Sequence, residues 1–286
     1  MKKNMKFLTS CLLIMFLFPQ LVSADSGPKP SVNITFENMS DELCYGTLLS
    51  EDESTGPASV WNGNENDIWD NGLDREIWQA FVDYEDADGY YFLQWGWQVN
   101  ETKELVWGYY PPSPFKILLY YPESDTFIVS GIYERYAFDS YFTVDMSGVT
   151  DEITATKSYD YSVEIVSLLC RIVLTILLEL GVAWLFGFRS KKQIGVILGI
   201  NLVTQVVLNV LLNLINYKNG AFAFIFYYIE FEFIVFAIEA VVYAILLKRI
   251  SEEKISTGEA VCYAFVANIV SFVAGGVIAT VVPGMF

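Results

Sequence analysis

Apolar residues change their spacing once along this chain, near residue 160. Before that point they come in short strand-like runs. Val32, Ile34 and Phe36 are separated by Asn33, Thr35 and Glu37, the period-two pattern of a strand with one face buried. Residues 44–49, 90–99, 105–110 and 140–144 read as further strands. Phe115–Tyr121 and residues 126–133 read as a hairpin about Pro122-Glu123-Ser124-Asp125. One short helix is predicted after Asp74, where Ile77, Trp78, Phe81 and Val82 recur at helical spacing. Short strands at regular spacing, separated by turn residues, predict a mainly-β, sandwich-like domain.

After residue 160 four long apolar segments follow, at about 163–187, 193–217, 221–247 and 259–282. Each is long enough to cross ~30 Å of hydrocarbon. Arg189, Lys191 and Lys192 follow the first segment, and Lys248, Arg249 and Lys254 follow the third, whereas the loop after the second carries only Lys218. The positive-inside rule places the basic loops in the cytoplasm, and the C-terminus and residues 25–160 outside it. Residues 1–24 point the same way. Lys2, Lys3 and Lys6 precede an apolar run from Phe7 to Val22 and a small-residue cleavage site at Val22-Ser23-Ala24, the order of a signal peptide. The expected organisation is a signal peptide (1–24), an acidic extracytoplasmic β-rich domain (25–145), a linker (146–160) and a four-helix transmembrane domain (161–286).

Charge sharpens the division. The net charge is −17, yet residues 25–160 hold 26 acidic and 6 basic side chains while 161–286 hold 8 of each. So acidic an exported domain repels nucleic acid and anionic headgroups and favours cations and basic partners. The sequence contains no histidine, which excludes His-ligated zinc and Ser-His or Cys-His nucleophiles. Of the four cysteines only Cys44 lies in the exported domain, so no disulfide framework is expected. Asp83, Glu85, Asp86 and Asp88 crowd before Gly89, but Tyr84 stands where a calcium loop needs an oxygen ligand, and a tight turn is the better reading. The six tryptophans before residue 160 read as core and cross-strand pairs in preference to a binding face. No cofactor, metal site or catalytic residue is predicted.

The sharpest chemistry lies inside the membrane segments. Arg171, Thr175 and Glu179 share a face of the first; Asn201, Thr204, Gln205 and Asn209 share a face of the second. Glu232 and Glu239 stand a heptad apart on the third, with Tyr243 a turn beyond, and Asn268 and Ser271 lie on the fourth. At ~1.5 Å rise per residue, Glu179, Asn201, Glu239 and Asn268 fall roughly 3–8 Å to the cytoplasmic side of the centre. With Gln205 they form a candidate polar layer, and Arg171 and Glu232, on the other side of centre, form a candidate ion pair. Two facing glutamates cannot both ionise cheaply, so one keeps a proton or a cation sits between them. The same groups also serve as interhelical glue, and for the two glutamates neither reading prevails.

The stretch FKILLYYPESDTFIVSGIYERYAFDSY around Lys116 to Tyr141, the first-segment pattern Arg171…Glu179 followed by FGFRSKK at 186–192, and Asn201-Leu202-Val203-Thr204-Gln205 resemble a group of four-pass membrane proteins of Gram-positive bacteria. That resemblance implies a signal peptide, an extracytoplasmic β domain and a membrane bundle, and implies no activity. The expected function is a non-enzymatic envelope protein. Its outer domain would meet a protein partner or envelope component, and its bundle would assemble with itself or a larger complex in the bilayer. Two alternatives stay open: a transporter or channel component working through the glutamates, and an intramembrane enzyme.

Overall fold

A computed structural model of the chain describes residues 27–64, 73–251 and 255–281. The signal-peptide reading of residues 1–24 lies outside the described residues. The chain divides into two compact units, one spanning Pro28–Asp160 and one containing everything from Tyr161 onward.

The first unit has three layers. Its outer sheet runs β12 (Ala155–Lys157), β10 (Asp139–Asp145), β1 (Ser31–Glu37), β7 (Glu104–Trp107). The second runs β11 (Glu152–Ile153), β9 (Thr126–Ser130), β8 (Phe115–Tyr121), β2 (Tyr45–Ser50), β5 (Tyr91–Phe92), with β6 (Trp97–Gln98) also paired to β2. A small hairpin, β3 (Ser54–Thr55) with β4 (Ala58–Ser59), stands apart from both sheets. Val32, Ile34, Phe36, Leu105, Trp107, Phe142 and Val144 of the first sheet pack on Leu48, Ile117 and Leu119 of the second. The other face of the second sheet, with Tyr45, Leu49, Leu118 and Tyr120, is covered by Ile77, Trp78 and Phe81 of α1 (Arg75–Asp83). β2 and β8 are therefore buried along their whole length, and no alternation survives in FKILLYY because neither face meets water.

The hairpin forms as its pattern predicts, with Leu118 opposite Val129 and Tyr121 opposite Thr126. Two expectations change. The run at 90–99 is not one strand: Gln94 takes φ 63°, a backbone turn that breaks the ladder between β5 and β6. The expected linker at 146–160 contains β11, parallel to β9, and β12, antiparallel to β10. Each is only two or three residues long, too short to show a period. β1 also lies parallel to β10 along seven residue pairs, a long-range pairing that alternation does not encode.

The second unit consists of α2 (Ser162–Leu185), α3 (Lys191–Ile250) and α4 (Thr257–Val281). All three are long and apolar enough to cross a membrane. α3 is interrupted at Gly220, where φ 82° and ψ 173° lie in a region open essentially to glycine alone. Straight, α3 would hold Asn201 and Tyr243 about 63 Å apart; instead the Asn201 amide donates to the Tyr243 hydroxyl at 2.9 Å. The limb before Gly220 therefore folds back on the limb after it. Gln193, part of a capping box with Ser190, closes the far end by donating to Ser251 at 2.9 Å.

Burial in this unit is inverted relative to a protein in water. Leu177, Leu185, Val203 and Ile245 face outward, while Arg171, Glu179, Asn201, Gln205, Asn209, Glu239 and Asn268 are buried. An apolar exterior around a polar interior is stable where the surrounding solvent is itself apolar.

Candidate functional site

Each of the four helical limbs contributes to the buried polar layer. The carboxylate of Glu239, on the second limb of α3, is served at both oxygens. The Thr204 hydroxyl lies 2.7 Å from Oε1, and the Asn268 amide donates to Oε2 at 2.8 Å. Asn268 also donates to the Ala264 carbonyl at 2.9 Å, and Asn201 to the Ile197 carbonyl at 3.1 Å. These bonds to the preceding helical turn hold both amides in one orientation.

Glu179 is treated differently. It is fully buried, with 0% exposure, and lies within electrostatic reach of Glu239 and beside Asn201 and Ser271. Neither of its carboxyl oxygens makes a hydrogen bond of normal geometry, and the Oδ1 atoms of Asn201 and Asn268 are likewise buried without a partner. Below Glu179, the Tyr263 hydroxyl donates to its backbone carbonyl at 3.3 Å, and the Tyr243 and Tyr263 rings meet at a tilt of 48° with centroids 5.4 Å apart.

The structure thus brings together Glu179, Asn201, Glu239 and Asn268. Gln205 sits about a turn away: it accepts from Asn209 at 3.3 Å and lines a cavity of about 10 Å³ with Arg171, Thr175, Tyr228, Glu232 and Ser271, close to the least volume that admits one water. Arg171 and Glu232 share that cavity, but no ion pair between the two is found. Arg171 instead donates from Nη2 to Asn213 at 3.0 Å and lies over the Phe224 ring, while Glu232 stands beside Tyr228. Equal depth put them near each other; their rotation about the helix axes turned them to other partners. Thr204, Tyr243 and Ser271 lie on faces marked by the sequence, but Tyr263 carries no signal of its own.

The β domain offers a second candidate. A cleft of about 420 Å³ is lined by Trp61, Tyr84, Tyr90 and Tyr91, together with Glu85 and Asp86. Behind it, the acidic turn is anchored by Lys116, whose ammonium meets Asp86 at 2.8 Å and Asp88 at 2.6 Å. Burial works against the charge on Lys116, but the bonds to Asp86 and Asp88 outweigh it and hold the ammonium above the ordinary lysine range. The Asp86 carboxylate in turn accepts from the Asp88 and Tyr90 backbone N–H groups at 3.0 and 3.2 Å. The cation in this acidic cluster is therefore a side chain from β8, 28 or more residues away in sequence.

Trp95 and Trp97 pack on Trp107, with centroids 5.1 and 5.5 Å apart, as part of the core. Cys44 is buried, and that burial pushes its thiol up to about 12. Among the described residues no three Cys, Asp or Glu side chains gather as a metal site. No protein-family model, no curated protein and no solved structure matches the chain.

Proposed function

We propose that this chain is an integral envelope protein whose β domain lies outside the cytoplasm and binds a partner or envelope component, while its helices cross the bilayer four times and associate with further copies or a larger complex. The observation that carries the binding reading is the aromatic cleft at Trp61, Tyr84, Tyr90 and Tyr91, a concave site rich in residues favoured at recognition surfaces. Support for four crossings comes from the fold-back of α3 at Gly220. The fold-back puts the basic groups Lys191, Lys192, Lys248 and Arg249 at one end of that hairpin and Lys218 alone at the other. The positive-inside rule then sets the β domain and the C-terminus outside.

A photo-crosslinking residue at Tyr91 of the full chain, in cells, tests the cleft. A specific adduct is expected at Tyr91 and not at Tyr141, which is exposed to a similar degree on β10. Equal labelling at both positions, or none at Tyr91, rejects the binding reading.

A second reading rests on Glu179, a buried carboxyl whose oxygens make no hydrogen bond of normal geometry: the bundle is a component that carries protons or cations. Flux into proteoliposomes that disappears in Glu179→Gln and Glu239→Gln, at unchanged folding, is its expected result. Absence of flux in the wild type refutes it.

A further inference from the structure

Donors and acceptors in the intramembrane layer do not balance. Both N–H groups of Asn201 are engaged, by the Ile197 carbonyl and the Tyr243 hydroxyl. Both N–H groups of Asn268 are engaged, by the Ala264 carbonyl and Glu239. A backbone carbonyl only accepts, so neither amide can be turned over without losing a bond. Four oxygens are left: both of Glu179, Oδ1 of Asn201 and Oδ1 of Asn268. All are buried acceptors on three of the four helical limbs, and the Ser271 hydroxyl beside Glu179 is already directed at the Ala267 and Asn268 carbonyls.

Buried polar atoms without partners require an explanation, and an ion is one of the few available. A single proton on Glu179 supplies one hydrogen bond and leaves at least one amide oxygen unserved. A small dehydrated cation takes several oxygens at once, and hard oxygen sets of carboxylate and amide carbonyl suit alkali and alkaline-earth ions. The charge selects between these. Glu239 already has both oxygens engaged by neutral donors, so Glu179 is the carboxylate left free to coordinate, and one positive charge neutralises it.

We propose that Glu179, Asn201 and Asn268 form a binding site for one dehydrated alkali cation of sodium size, with Glu239 as a neighbouring negative charge. The site goes beyond the anchor and binding roles proposed above. It bears on the transport reading without depending on it, because an ion can be held without being moved. The titratable groups facing Glu179 are Glu239 and Tyr243 from α3 and Tyr263 from α4, with Glu232 farther along, and protons compete with the cation there.

The test is thermal unfolding of the purified full chain in detergent, in sodium chloride and in choline chloride at equal ionic strength. Sodium is expected to raise Tm by a few degrees, saturably, with the shift shrinking as the pH is lowered. The shift is expected to vanish in Glu179→Gln and to persist in Glu259→Gln, whose carboxyl is exposed at the start of α4. If Glu179→Gln does not fold, calorimetric titration of the wild type with sodium decides, one saturable site per chain being expected. A Tm indifferent to sodium but dependent on pH makes a proton the sole occupant and overturns the proposal. A sodium shift unchanged in Glu179→Gln places the ion elsewhere and overturns it as well.

Discussion

Removing the Lys116 ammonium while keeping most of its volume isolates one interaction in the β domain. In Lys116→Met the Asp86 carboxylate, whose side chain is 1% exposed, loses its only close cation among the described residues. Breaking a buried pair by removing one partner costs roughly 3–5 kcal/mol. Two features place this case at the lower end. Asp86 keeps two backbone N–H donors, and Asp88, 61% exposed, regains water when it loses the lysine and contributes less than about 1 kcal/mol. The expected loss is therefore about 3 kcal/mol. Chemical unfolding of the full chain followed by tryptophan emission reads it, since six of the seven tryptophans precede residue 160. Asp86→Asn removes the charge but keeps an oxygen for the two N–H groups, so Lys116→Met/Asp86→Asn should be more stable than Lys116→Met alone. A single-variant loss below about 1 kcal/mol, or a double variant no better than the single, would refute the claim that an unpaired buried charge is what hurts. The pH dependence has a definite sign. Because the folded protein holds the Lys116 ammonium above its ordinary value, the stabilisation is complete below pH about 10 and is lost as pH rises through the folded value. Lys116→Met should lack that component of the alkaline decline.

Three further outcomes follow from particular positions. Gly220→Ala forces an L side chain into φ 82°, ψ 173°, at a cost of about 1–3 kcal/mol; a melting temperature equal to wild type would mean the fold-back does not need glycine. The Cys44 thiol, pushed up to about 12 by burial, should resist alkylation in the native state at pH 8 and react only on unfolding. Its raised value also means stability present in full below pH about 9 and falling above it, a decline that Cys44→Ala should reduce. In choline chloride, Glu179→Gln should be at least as stable as wild type, because its amide brings two N–H donors to a layer with unpartnered amide oxygens; a marked loss without sodium would show that the carboxyl already has a partner.

Local pattern carried the elements whose environment is two-sided. Alternation at Val32–Phe36 marked β1 because one face is core and the other is not, and Ile77, Trp78 and Phe81 marked α1 for the same reason. The break at 218–220 was visible as a gap between apolar segments and proved to be a glycine with a conformation other residues avoid. Pattern failed where structure depends on distant partners. The parallel pairing of β1 with β10, the two-residue β11 and the Lys116 anchor all join segments more than 20 residues apart, and no local period records them. In the helices, spacing placed Glu179, Asn201, Glu239 and Asn268 at one depth, and they do meet. Depth alone said nothing of rotation, which took Arg171 to Asn213 and left Gln205 beside Asn209.

The contrast between Glu179 and Glu239 bears on what the layer is for. Both are fully buried in the same layer of the same bundle. Glu239 has the environment of a structural carboxyl, with a hydroxyl on one oxygen and an amide on the other, and interhelical bonding explains it. Glu179 lies beside Asn201 and Ser271, yet neither of its oxygens makes a hydrogen bond of normal geometry. A chain selected for helix packing alone would do better with glutamine there, which needs no counter-charge and brings its own N–H donors. A buried carboxyl that breaks this local rule, beside two amide oxygens without partners, is the kind of exception that functional sites produce. The two carboxyls therefore make different demands on the layer: Glu239 is satisfied by interhelical bonds, and Glu179 is not.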